Sequence, residues 1–181
     1  MPAPVAGDAQ NAVQTFLPLA DFEATARALD SLRLGKQRVE TLQVFRALTR
    51  ADYGWRSHPV VLMWAGHEEA LTTYGLTMCR EWRRRGFADT VAATITAELR
   101  VAAGIEAARS QERLAAAREL PPWLGDEALH LSHRSALVRK DPGHYAARFP
   151  GVPDDLPYVW PVRSEAVLRR EAARRAKEGR K

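Results

Sequence analysis

A single cysteine, Cys79, leaves this chain without the means to form an internal disulfide, a usage that fits a reducing compartment. Its longest apolar run, Val60 to Ala65, falls far short of the roughly 20 residues needed to span a bilayer. Met1 to Val13 lacks both a basic start and an apolar centre, so it is not expected to act as a secretory signal. The histidines are scattered and have no second cysteine to join, so no metal-ligand cluster is read and neither metal nor cofactor is expected. Sustained strand alternation and internal repeats are missing too. What remains is helical periodicity in a chain of 181 residues, 46% hydrophobic and 27% charged, enough for one domain with a real core. The expectation is an all-α single domain.

The formal charge of +5 says little until it is located. Residues 163–181 hold eight Lys/Arg against three Glu, which accounts for the whole excess; residues 1–162 carry 19 charges of each sign. Any case for a nucleic-acid partner must therefore rest on where charges sit. The organisation expected is a disordered extension over 1–13, a helical domain over 14–162 and a basic helix or tail over 163–181. Val13 directly precedes the first structured-looking residues, Gln14-Thr15-Phe16-Leu17-Pro18. Valine can be specified by an alternative start codon, so initiation at Val13 is a hypothesis that mass spectrometry of the native N-terminus checks.

Asp21 reads as the N-cap of a helix running to Leu29. A second helix spans Arg33 to about Arg50, with Leu34, Val39, Leu42, Phe45 and Leu48 at core spacing. Pro59 opens a long helix that ends at Gly86, turning Leu62, Met63, His67, Ala70, Leu71 and Tyr74 inward. A third long helix, Thr90 to about Leu120, follows Asp89 and stops at Pro121-Pro122. Asp126 begins another that runs to Lys140 and stops at Asp141-Pro142. The stretch from Gly151 to Pro161 is proline-rich and carries Tyr158 and Trp160.

Chemistry concentrates in Arg33-Leu34-Gly35-Lys36-Gln37-Arg38-Val39-Glu40. Residues three and four apart share a helix face, so Arg33, Lys36, Gln37 and Glu40 point together and set one carboxylate among cations. An ordinary Lys36–Glu40 helix pair is the bland meaning, worth roughly 0.3–0.5 kcal/mol. The functional meaning is an acid placed to stabilise a cationic sugar next to phosphates.

Four motifs decide between these. Leu34 is followed six residues later by Glu40, and then by Val44-Phe45; Pro59 leads to Ala65-Gly66-His67; Arg85-Gly86-Phe87 follows; Glu127-Ala128, Ser132 and Pro142-x2-Tyr145 come last. In this order, over roughly residues 15–149, they resemble the pyrimidine-dimer DNA glycosylases of the phage endonuclease V class. The resemblance implies an all-helical fold that binds double-stranded DNA, extrudes a nucleotide and cleaves an N-glycosidic bond, with or without abasic-site lyase activity. It implies Glu40 as the catalytic acid. It also implies an α-amine nucleophile from an N-terminal Thr, whose nearest equivalent is Thr15. Three nucleophiles stay open: an amine freed near Thr15, the Lys36 amine, or water activated by Glu40.

The chain departs from the family pattern at three places. Arg33 stands for a family histidine at the active site, Gln43 for an arginine that contacts the lesion, and Val39 for a further arginine. These changes bear on the target base more than on DNA binding. Expected nucleic-acid contacts are Arg33, Gln37, Gln43, His67, His133, Arg134, Ser135, Lys140 and Tyr145. Ser132 to Ser135 with Arg139-Lys140 resembles a phosphate-gripping helix face. Tyr145, Tyr158 and Trp160 are candidates for stacking on an exposed base. Arg80, Arg83, Arg84 and Arg85 form a basic run at a helix end. The expected partner is duplex DNA bearing a damaged or modified base, met by a monomer in the cytoplasm near the nucleoid. The competing readings are a non-catalytic nucleic-acid-binding module on the same scaffold and a helical interaction protein whose tail alone touches nucleic acid.

Overall fold

Short polar side chains start the helices. The computed structural model of the protein describes residues 13–54 and 56–161. Asp21 accepts the Ala24 amide at 2.6 Å and opens α1, Phe22–Ala28. Asp30 accepts the Arg33 amide at 3.0 Å and opens α2, Ser31–Thr49. His58 caps α3, Pro59–Trp64, whose first residue is the proline that a helix start tolerates. Three more helices and a final turn follow α4, Glu68–Arg84: α5, Val91–Ala103; α6, Gln111–Ala116; α7, Glu127–Lys140; and α8, Pro142–Tyr145. Asp126 caps α7 through the Ala128 amide at 2.9 Å. Among the described residues there is no strand, and no helix is long and apolar enough to cross a membrane. The all-α fold class expected from the sequence is the one found. The 1–13 and 163–181 readings fall, apart from Val13, outside the described residues.

Two expected helices are each broken in two. Pro59 to Gly86 divides at Ala65-Gly66-His67, where Gly66 adopts φ +82°, a left-handed conformation that glycine enters without a Cβ clash. Thr90 to Leu120 divides at Gly104, φ +69°, which ends α5 and releases an irregular link before Ser110 caps α6. Asp89 does act at the start of α5, accepting the Val91 and Ala92 amides at 3.3 and 3.1 Å. Two expected core residues also point outward: Val39 is 44% exposed and Leu62 38%.

The site is positioned by the antiparallel pair α2 and α4. They approach closely because Gly75 has no side chain: a Cβ there would stand 2.5 Å from Thr41 Cγ2. One end of the same seam packs the Trp82 indole over Gly35, where a Cβ would stand 3.0 Å from the ring. The extended residues before α1 thread into the core between this pair and α7. Leu17 is gripped at both backbone atoms, its N–H donating to His133 Nδ1 at 3.0 Å and its carbonyl lying 2.7 Å from His130 Nδ1. Arg85 ties α4 to the end of α1, donating to the carbonyls of Ala26 and Leu29 at 3.1 and 2.8 Å. Those are helix C-terminal carbonyls, which a cation satisfies well.

Candidate active site

Glu40 lies on the outer stripe of α2, which forms an open groove of about 500 Å3 together with Trp82 of α4. Leu32, Lys36, Val39 and Gln43 share this stripe at helical spacing. The Glu40 side chain is half-buried, with Oε2 accepting from Gln37 Nε2 at 2.7 Å. The backbone N–H of Gln14 also faces the carboxylate. Burial pushes the carboxyl above its ordinary range, and this outweighs Lys36, Gln14, Gln37 and Lys140, which all favour the charged form.

The Gln37 amide organises the surroundings of the acid. Its Nε2 donates to the Gln14 carbonyl at 2.9 Å as well as to Glu40, and its Oε1 accepts the Phe16 amide at 2.8 Å. The Tyr74 hydroxyl lies 2.7 Å from both Gln37 Oε1 and the Phe16 carbonyl. Gln37 is fully buried, so every polar atom of its amide needs a partner inside the protein, and each has one. It therefore positions Glu40 and the Gln14–Phe16 backbone, and is not placed to contact DNA.

Cations surround the acid without pairing to it. Lys36 is exposed one turn before Glu40, and the two make no ion pair. Lys140, at the end of α7, is within electrostatic reach of Glu40, Lys36, Arg33 and Arg139; burial and these cations lower its pKa, with Glu40 opposing them. Arg33 is committed to Asp30 at 2.7 Å and Asp141 at 3.6 Å, with its guanidinium carbon 5.5 Å from the Tyr145 ring centroid. No group of three or more His, Cys, Asp or Glu among the described residues is arranged to hold a metal ion.

The other expected site residues fall in different places. Thr15 is fully buried, its hydroxyl accepting the Trp64 indole N–H at 2.9 Å. The nitrogen that faces Glu40 thus belongs to Gln14, one residue earlier. His67 stands at the start of α4, with Nδ1 3.4 Å from the Glu119 carbonyl. Gly75 packs on Thr41, so His67, eight residues before it, is roughly 12 Å along the axis toward the far end of α2, away from Glu40.

The expected phosphate-gripping face turns inward. His133 is fully buried; burial first, then His130, drives its pKa down to about 3, so it stays neutral and accepts the Leu17 amide. Ser135 accepts the Leu156 amide at 3.0 Å and Ser132 the Val159 amide at 3.0 Å, fastening the proline-rich segment to α7. Arg134 donates to the Pro18 carbonyl at 2.9 Å and pairs with Glu127. Tyr145 is fully buried, its hydroxyl shared between the Asp30 carboxylate and the Asp30 amide. It braces the start of α2 and presents no ring face to a base. Lys36, Glu40, Gln43 and Lys140 are the expected residues that the structure gathers at the groove or within its electrostatic reach.

Sequence reasoning missed the Gln14 nitrogen, Tyr74, Arg38 and Trp82. Trp82 left a trace through Gly35, since a glycine inside α2 signals something packed against the backbone, and Arg38 stood in the charged stretch without a role assigned to it.

A sequence model described as pyrimidine dimer DNA glycosylase matches residues 13–94. That segment contains α1 to α4, Glu40, its groove and the Gln14 contact, and stops before α6, α7 and α8. No curated protein and no solved structure matches the chain.

Proposed function

We propose, from the match of residues 13–94 to a model described as pyrimidine dimer DNA glycosylase, that this protein excises a damaged or modified base from duplex DNA, with Glu40 as its catalytic acid. The observation carrying this reading is the pairing of a burial-raised Glu40 carboxyl with the Gln14 backbone nitrogen at the floor of a groove flanked by Lys36 and Lys140. A carboxyl whose pKa is raised toward neutrality serves better in proton transfer, and once ionised it stabilises positive charge on the sugar.

Three routes fit this geometry. In the first, a nitrogen lone pair attacks the sugar C1′ while the glycosidic C1′–N bond breaks. Its electron pair leaves with the base, which takes up a proton; the attacking nitrogen loses a proton, and its lone pair then opens the C1′–O4′ bond, O4′ taking up a proton, to give the protonated Schiff base. In the intact chain the Gln14 nitrogen is an amide and has no basic lone pair. A chain opened between Val13 and Gln14 would place an α-amine there, one residue before the Thr15 equivalent. In the second route Glu40 takes a proton from water, whose oxygen bonds to C1′ as the base departs. A third route repeats the first with Lys36 as the source of nitrogen; phosphate contact is the simpler role for that residue.

Borohydride trapping on abasic-site DNA, read with mass spectrometry of the native N-terminus, tests the reading. A trapped adduct mapped to residue 14 supports the first route, one mapped to Lys36 the third, and base release without an adduct the second. Binding with neither release nor adduct across dimer-containing, alkylated and hypermodified duplexes would overturn the enzyme reading. It would favour the non-catalytic module, which the amide character of the Gln14 nitrogen already supports.

A further inference from the structure

The wall of the Glu40 groove ends in a preformed aromatic stack. Trp82, a groove residue, stacks on Phe87 with ring centroids 4.1 Å apart and planes 22° from parallel. The Arg38 guanidinium carbon lies 4.2 Å from the indole centroid. Two planar groups at such distances from one ring occupy opposite faces, so the order is Arg38, Trp82, Phe87. Each inner layer is fixed: Arg38 pairs with the nearly buried Asp89, and the Trp82 indole donates to the Ala88 carbonyl at 2.9 Å. Gly35 lets the ring edge settle against α2. The last layer is open, with Phe87 42% exposed.

The geometry points to Phe87 as a docking face for a nucleobase of the duplex, the one left without a pairing partner when the target nucleotide moves toward Glu40. This inference rests on the glycosylase reading and adds a residue to it. An aromatic face stacks on any base, which suits a contact that must not depend on sequence, and apolar wedges of this kind hold duplexes kinked. Rigid backing means little ordering is needed on contact. Charge is complementary, because the exposed Arg83 lies just before the loop that carries Phe87 and suits a phosphate strand, while its neighbour Arg84 is held by Glu81 at 2.6 Å. Leu32, 67% exposed, and Val39 extend an apolar rim along the groove.

The test uses the full chain and a duplex holding a tetrahydrofuran abasic analogue opposite 2-aminopurine. The analogue has no base to release, so the readout is independent of catalysis. Binding of the unmodified protein should quench the 2-aminopurine. Phe87→Leu, which keeps an apolar cover on Trp82 but has no aromatic face, should leave the probe bright and weaken binding by about tenfold. Phe87→Tyr should restore both, and thermal melting should place both variants close to the parent. Equal quenching by Phe87→Leu and the parent protein would overturn the inference. That outcome is separable from failure of the glycosylase reading, which shows as absent base release whatever the probe reports.

Discussion

Glu40 combines its proposed function with a stability cost, and the two separate by substitution. Its folded pKa lies above that of the unfolded chain, so below the ordinary carboxylate range the group is neutral in both states. As pH rises the unfolded chain ionises first, and the penalty for burying charge becomes complete above the folded pKa. Glu40→Gln should therefore melt higher than the parent at neutral pH, with the gain vanishing on acidification, while turnover falls by at least a hundredfold, on the order of a lost acid–base group. Melting temperature against pH, alongside a base-release assay, checks both halves. Asp30 behaves in the opposite sense: burial pushes its pKa up, but Tyr145 and Arg33 outweigh that and hold it low. Its contribution is present above the unfolded pKa and lost as pH falls through the folded one. Tyr145→Phe removes the bracing hydroxyl, costing about 1–2 kcal/mol and lowering Tm by roughly 2–8 °C at neutral pH, less in acid. DNA affinity should change little if Tyr145 only braces α2. The Gln37–Glu40 contact was legible because the two residues lie one turn apart. The inward roles of His133, Tyr145 and Ser135 were not, because their partners Leu17, Asp30 and Leu156 are 116, 115 and 21 residues away. A serine or tyrosine next to cations reads the same whether it meets a phosphate or a distant amide.

Among the helices, starts were easier to read than interruptions. Asp21 and Asp126 cap amides three and two residues downstream, so the signal and its effect share one short window. Gly66 and Gly104 lie inside the two stretches expected to be continuous helices, but each takes a left-handed conformation that ends a helix. Nothing local distinguishes those outcomes; packing decides. Gly75 shows the other case, a glycine that stays helical and lets two helices meet. Gly75→Ala improves intrinsic helix propensity by about 1 kcal/mol, yet drives a methyl onto Thr41 Cγ2, where overpacking costs about 1–3 kcal/mol. The net expectation is a modest fall in Tm. Adding Thr41→Ser removes the clashing methyl and keeps the hydroxyl that donates to the Gln37 carbonyl at 2.7 Å. The double variant should recover part of the loss, and a thermal double-mutant cycle reads the coupling directly. Additive effects would show that the α2–α4 seam relaxes some other way.

For the whole molecule, the location of charge sets how it would meet DNA under the proposed function. Residues 1–162 are balanced, and the excess of +5 lies entirely in residues 163–181. Many cations of the domain are already spoken for: Arg33, Arg38, Arg46, Arg109 and Arg134 all pair with carboxylates. Deleting 163–181 should therefore flatten the salt dependence of DNA binding and weaken affinity in low salt, while base release at saturating DNA persists. Titrations at several salt concentrations check this, and loss of all DNA binding would favour the reading in which the tail alone touches nucleic acid. At this scale the all-α class was readable from periodicity and from the shortage of strand patterning. The threading of residues 14–17 through the interior was not, since an extended segment leaves no period. That threading has its own consequence. The neighbour that helps exclude solvent from the reactive carboxyl is the opening run of backbone, clamped by one glutamine. Any event that unseated this run would hydrate the acid and return it to ordinary surface behaviour, so under the proposed function the readiness of the chemistry doubles as a gauge of whether residues 14–17 are home.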